Sequence, residues 1–349
     1  MRKLILALAV ACLAAVGPQA TQVVMVKFAG HPEEPCTFAY TGNLVYGQYS
    51  DWLWNESHEQ EWLTGTDVWG WWALPHDTFY YCQVGGQFPV NCNSQLINQD
   101  VRTLSAPYFD MSAQDLVVIY IPSFGGGKGG GGIVYADCFN NPSDLYTLKH
   151  EGGHAQGLMH SGSWSCPSAD VGEDYLHAID STDGCLWSIY GDSFSIMGFN
   201  INAQHYSVWE QDLLGWKQPS NIQYVGQNGA FTLLRSDIAT TGVQDIRIPI
   251  SLDGGYYYTI EYNPDVGVLV RLKVAYAFGP DFTGILNGTY PDPWNHPQAI
   301  TFANPFYDPY RRIEVSLVAS DANSATISIL FDAAGGSACR PRGRKPRIR

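Results

Sequence analysis

Charge is what this sequence has least of. Only 15% of its 349 residues are Asp, Glu, Lys or Arg, against a usual share of about a quarter. Cations are scarcer still, with 19 Lys and Arg against 33 Asp and Glu and a formal net charge of -14. Arg2 and Lys3 open the chain and six more basic residues follow Cys339, so the body between holds 11 basic and 33 acidic residues, a balance of -22. A body of that sign repels phosphate backbones, which excludes general nucleic-acid binding by the main fold. Long apolar runs are missing too. Leu4–Val16 falls short of the roughly 18 residues that cross a bilayer, and no other segment reaches that length, so no transmembrane segment is expected. No C-x-x-C pair occurs, which leaves a zinc ribbon unsupported. The glycine run 124–132 (FGGGKGGGG) has Gly129 where a phosphate-binding loop needs Ser or Thr after the lysine, so it reads as a flexible connector.

What is present is a 45% apolar chain rich in Gly, Trp and Tyr, the composition of a loop-rich globular protein with many strands. Its length suggests two domains. Arg2 and Lys3, the apolar run Leu4–Val16 and the small residues to Ala20 follow the order of a secretory signal peptide over residues 1–20. Lipidation at Cys12 is a minor alternative, since Ala9-Val10-Ala11-Cys12 only loosely fits that signal. The mature chain is expected outside the cell, where disulfides are the default. Cys82/Cys92 and Cys166/Cys185 are plausible local pairs, and Cys339 is the first candidate for the odd thiol.

Residues 21–222 mix strands and helices. Gln22–Phe28, Asp115–Ile121 and Gly132–Cys138 read as strands, and Asn141-Pro142-Ser143-Asp144 starts a helix with Ser143 or Asp144 as its N-cap. Val68–Cys82 concentrates aromatics, read first as sheet core and second as a sugar platform. From 226 to 333 the period changes to two, with strands expected at Ala230–Leu234, Val243–Ile250, Tyr256–Tyr262, Val266–Tyr276, Ile313–Ala319 and Ala325–Phe331, an antiparallel β-sandwich. Residues 334–349 form a basic tail expected to be disordered.

The chemistry concentrates in His150–His160, HEGGHAQGLMH. Four residues apart on a helix, His150 and His154 project from one face and can share a zinc ion. Glu151 sits beside that face. Gly157 can leave the helix with positive φ and return His160 as a third ligand. Three imidazoles with one open position describe a catalytic zinc site, since a structural one would be closed by four protein ligands. Two helical glycines, each costing about 1 kcal/mol against Ala, argue against plain packing.

With Ser195-Ile196-Met197-Gly198 downstream, the chain resembles the metzincin clan of zinc peptidases, and within it the gametolysin family. The shared residues are DLVVIYIPS (115–123), the histidine run with Ser161 after it, YGDSFSIMG (190–198), QDLLGWKQP (211–219), YYYTIEYN (256–263) and GVLVRLKV (267–274). The resemblance implies an α+β metzincin-like catalytic domain, a twisted mixed sheet with a zinc-binding helix, ahead of the sandwich. It implies an endopeptidase acting on extracellular or cell-wall glycoproteins, with one zinc ion on His150, His154 and His160, Glu151 as general base and Met197 in a turn beneath the metal. The strand holding Ile133, Val134 and Tyr135 is expected as the sheet edge that pairs substrate, and Phe199 as part of the pocket beyond the cleaved bond. The helix Ala203–Leu214, closed by Gly215, packs on the catalytic core. Calcium at Asp170, Glu173, Asp174, Asp180 and Asp183 is possible but unsupported by spacing. The tail is a candidate tether to an anionic surface. The alternative is a glycan- or cell-wall-binding protein with an inert zinc site, suggested by Trp69, Trp71 and Trp72.

Overall fold

A computed structural model describes residues 16–332 apart from 86–87, 123, 125–126, 142, 166–185, 199, 252–254, 275–280, 287–298, 301–304 and 309–310. Most of the leader, Cys12, the pair Cys166/Cys185, the acidic loop, Phe199, Cys339 and the basic tail lie outside the described residues. The fold is mixed, with several sheets, many strands and few helices. No helix among the described residues is long and apolar enough to cross a membrane. Two compact units divide the chain, one of Met1–Leu158 with Glu210–Lys217, the other of Met159–Trp209 with Gln218–Arg349.

The first unit is built on β1 (Pro18–Lys27), β2 (Trp62–Thr64), β3 (Val68–Ala73), β4 (Gln83–Gly85), β5 (Phe88–Val90), β6 (Leu116–Tyr120), β7 (Gly127–Gly130) and β8 (Ile133–Ala136). Its helices are α1 (Phe38–Gly42), α2 (Ser50–Glu56), α3 (Thr78–Tyr81), α4 (Ser94–Ser105) and α5 (Ser143–Ala155). The main sheet runs β2-β1-β6-β8-β7, with β3 pairing the later half of β1. All these pairs are parallel except β7 with β8. Every residue of β6 is buried, as a parallel strand covered on both faces requires. On one face, Ile97 and Val101 of α4 share a core with Val24, Val26, Val117, Ile119, Ile133 and Tyr135. Asn93 caps α4 by accepting from the N–H groups of Gln95 and Leu96. The opposite face of β7 and β8 meets α5.

Three expectations change here. The glycine run is no flexible connector, because Gly127–Gly130 is the antiparallel edge strand β7. A Cβ on Gly127 would lie 2.6 Å from the Glu151 side chain, and one on Gly129 would lie 2.0 Å from the Glu151 carbonyl oxygen. Glycine is there because α5 presses on the strand. The first strand begins at Pro18, so 18–20 belong to the fold rather than to the leader. Gln19 pairs with Leu63 and is buried, and the Ala20 N–H donates to Asp115 at 2.8 Å. Finally, α5 starts at Ser143, one residue after Pro142, and the side chain accepting from its first N–H is Asn141 at 2.8 Å. Two disulfides staple this unit, the expected Cys82–Cys92 and also Cys36–Cys138.

The second unit contains β9 (Gly162–Ser165), β10 (Leu186–Ser188), β11 (Ile222–Tyr224), β12 (Gly229–Leu234), β13 (Asp245–Pro249), β14 (Tyr257–Asn263), β15 (Gly267–Val274), β16 (Phe282–Leu286), β17 (Ala299–Ile300), β18 (Phe306–Asp308), β19 (Ile313–Ser320) and β20 (Ser324–Phe331). One sheet runs β10-β9-β16-β15-β14-β13-β11 with β17 on β15, and the other β12-β20-β19-β18. Both sheets contribute to one core, for example Ile260, Val270 and Leu272 with Val315, Ile327 and Ile329, which is the face-to-face packing of a sandwich. It is not wholly antiparallel: β11 runs parallel to β13, and β9 parallel to β16. The helix expected at Ala203–Leu214 is shorter, α6 (Val208–Leu213), ended by Gly215 at φ 77°. On it, Gln211 Nε2 donates to Glu56, and after it Trp216 Nε1 donates to Glu61, each at 2.8 Å, within the first unit.

Candidate metal centre

His150, Glu151 and His154 lie on the last turns of α5. Only 8% of His150 and 9% of Glu151 is exposed. The two imidazoles stand at 86° with centroids 4.9 Å apart. The helix ends at Ala155, and Gly157 turns the chain at φ 100°. No atom lies within 4 Å of the Cβ it lacks, so the glycine is needed for its φ and not for space. After the turn, one ligand atom from each of His150, His154 and His160 lies within 4.8 Å of the others, a group that could hold a metal ion. A second cluster, Cys36, Cys138 and Asp144, is no such group, because its sulfurs are bonded to each other.

The donor set fits a metal in its protonation as well. His154 Nδ1 lies 2.7 Å from the Leu158 carbonyl. A carbonyl only accepts, so Nδ1 carries the proton and Nε2 keeps its lone pair. Burial lowers the His154 pKa, favouring the neutral form that ligates. Burial raises Glu151 to about 7, opposed by a hydrogen bond from the Gly129 N–H of β7.

Beyond His160 the chain is held by the Met197 segment. Ser161 N–H donates to the Met197 carbonyl at 2.9 Å, and Asp192 N–H to the Ser161 carbonyl at 3.3 Å. Met197 is fully buried, and its N–H donates to Ser195 Oγ at 3.0 Å. A Cβ on Gly198 would lie 1.8 Å from the Asp192 carbonyl oxygen, so the turn closes only with glycine there. Asp192 is paired to Arg271 at 2.6 Å, and Arg271 to Glu261 at 2.6 Å, all buried. Arg271 went unnoticed in the sequence, although a lone arginine within the buried run VLVRL is the signal of an internal ion pair.

A second unanticipated cluster supports the end of α5. Glu61, fully buried, accepts from Gln19 Nε2 and Gln156 Nε2 at 2.6 Å and from Trp216 Nε1 at 2.8 Å. Three segments far apart in sequence converge on one carboxylate, and Gln156 is two residues past His154. Burial still pushes Glu61 up to about 7.

The substrate-edge expectation is corrected by topology. Ile133, Val134 and Tyr135 are buried, and β8 is paired by β6 on one side and β7 on the other. Among the described residues, the free edge of this sheet beside α5 belongs to β7. Trp69, Trp71 and Trp72 are half-buried. Trp69 Nε1 donates to Gln22, Trp71 Nε1 to the Cys36 carbonyl, and Trp72 stacks on Tyr108 at 5.3 Å. The indole N–H groups of Trp69 and Trp71 and the rings of Trp69 and Trp72 are engaged within the fold, unlike an open sugar platform.

No protein-family model matches the chain, and no curated protein matches it. Among solved structures, it is similar to catalytically inactive OgpA from Akkermansia muciniphila in complex with an O-glycopeptide (glycodrosocin) substrate, at 10% identity and TM-score 0.37, over 74% of this chain and 72% of that one. It is also similar to wild-type OgpA from that organism in two crystal forms. One gives 12% identity and TM-score 0.38 over 77% and 81% of the two chains. The other gives 12% and 0.35 over 73% and 71%. A likeness of this degree says nothing about residue roles or substrate.

Proposed function

We propose that the protein is a secreted zinc-dependent endopeptidase of metzincin type, gametolysin-like in its motifs, that cleaves extracellular or cell-wall (glyco)proteins. The observation that carries this reading is the convergence of His150, His154 and His160 around a helix whose second motif residue is a buried glutamate. The two disulfides support an oxidising compartment.

Zinc, the ion suited to three imidazoles and an open position, supplies Lewis-acid polarisation of the scissile carbonyl and acidifies a water when bound. The chain's own residues do the rest. The Leu158 carbonyl holds His154 as the Nε2 ligand. Glu151, raised toward neutrality by burial, takes the proton of the attacking water on its carboxylate and returns it to the leaving amine, which requires a pKa near the working pH. Met197 forms an apolar floor and touches no substrate. An extended peptide pairs with the edge of β7, in place of Ile133–Tyr135 on the interior strand β8.

The test is casein or gelatin cleavage by the mature protein with metal analysis. Glu151→Gln is expected to retain zinc and lose on the order of 10²–10⁴-fold in rate, and phenanthroline to abolish cleavage. Full activity in either case refutes the reading.

A further inference from the structure

β7 carries one side chain, Lys128, among glycines. Gly127 and Gly129 face α5, since Cβ atoms there would strike Glu151 and His154. Strand alternation therefore sends Lys128 to the opposite face, and its cross-strand partner is Tyr135, a member of the core shared with α4. On that face a cleft of about 340 Å³ lies between β7 and the polar side of α4, lined by Ser94, Asn98, Arg102, Lys128 and Tyr135 among others. The floor is fixed, because Tyr135 Oη donates to the Ser94 carbonyl at 3.0 Å. Arg102 Nε donates to Asn98 at 3.2 Å, which steadies the guanidinium and leaves its Nη groups for a ligand. Among the described residues neither Lys128 nor Arg102 forms an ion pair. Asp110 feels Arg102 only as the last of the influences on its carboxyl. In a body with 11 basic and 33 acidic residues, two exposed cations at one cleft stand out.

We propose that this cleft is a subsite for acidic side chains of a polypeptide substrate, an inference that rests on the peptidase reading. A peptide paired to β7 presents alternate side chains to opposite faces. One set faces α5 and the metal ligands. The other set enters the cleft, where Lys128 and Arg102 meet a carboxylate and make charge-assisted hydrogen bonds to it.

The experiment is cleavage profiling of a peptide library by the wild type, Lys128→Ala/Arg102→Ala and Lys128→Glu. The wild type is expected to favour Asp or Glu over Asn or Gln at positions two residues apart on one side of the cut. Each cation accounts for about threefold in kcat/KM, about tenfold together. The preference shrinks in about 0.5 M salt, collapses toward unity in the double variant, and turns toward Lys and Arg in Lys128→Glu. Absence of acid preference in an active wild type, or its survival in the double variant, overturns the subsite. Should the wild type cleave nothing, the peptidase reading fails by itself. Fluorescence anisotropy with labelled hexaglutamate and hexaglutamine then decides the cleft: equal binding, or binding undiminished in the double variant, overturns it, and loss of glutamate-selective binding in that variant upholds it.

Discussion

Gly152, between Glu151 and His154 on α5, offers a quantitative test of how the metal helix is seated. A Cβ there would lie 1.9 Å from Tyr49 Oη and 2.8 Å from Cζ. Ordinary contact begins near 3.4 Å, so Gly152→Ala forces a displacement of about 1.5 Å on a ring that is fully buried. Such overpacking costs up to about 3 kcal/mol, and the helix-propensity gain of alanine over glycine returns about 1. The net expectation is a loss of about 2 kcal/mol. Tyr49 Oη is buried and has no hydrogen-bond partner among the described residues, so Tyr49→Phe removes an unsatisfied hydroxyl and stabilises by about 1 kcal/mol. In the double variant the 1.9 Å overlap is gone while the milder contact with Cζ at 2.8 Å remains and offsets the propensity gain, so its stability returns to about that of the wild type, a coupling of about 1 kcal/mol. The assay is thermal unfolding of the full-length protein. Gly152→Ala should lower Tm by about 4–8 °C and the double variant should not. A rise in Tm for Gly152→Ala, or single and double variants falling equally, refutes the account of this glycine.

Two further perturbations address the buried charges. Arg271→Met leaves Asp192 and Glu261 buried without their cation and should cost about 3–5 kcal/mol by urea denaturation, while the triple change with Asp192→Asn and Glu261→Gln recovers most of it; an Arg271→Met protein of wild-type stability rejects the ion triad. Glu61 keeps its proton to about pH 7 in the fold and to near 4.5 unfolded, so between those values the folded state holds the extra proton. Stability therefore falls as pH rises through that window, by on the order of 3 kcal/mol, and Glu61→Gln flattens the slope in pH-dependent urea midpoints.

Much of the architecture was legible from pattern. Expected strands at Ala230–Leu234 and Ala325–Phe331 differ by one residue from β12 and β20, because period-two alternation is a property of the strand itself. The positive φ of Gly157 was legible for the same reason, since the geometry of a helix exit is local. Misreadings arose where partners are distant. Gly127 and Gly129 carry no side chains to report what they touch, so their nearness to Glu151 and His154 left no pattern to read. Pro18–Ala20 look like a cleavage region by size alone, whereas Glu61, Asp115 and the β2 ladder tie them into the fold. The Ala203–Leu214 periodicity overstated α6, since Tyr206 is buried before the helix begins.

Local order therefore carried the candidate metal cluster, because His150, Glu151 and His154 share one helix and His160 lies a single turn of chain beyond it. The expectation that phosphate backbones are repelled likewise comes from the acidic composition without any fold. Which strand forms the open edge, where Lys128 faces, and why Glu61 and Arg271 are tolerated inside depend on segments up to about 150 residues apart meeting through long-range pairing. Those contacts are set by packing, and packing leaves no period in a sequence.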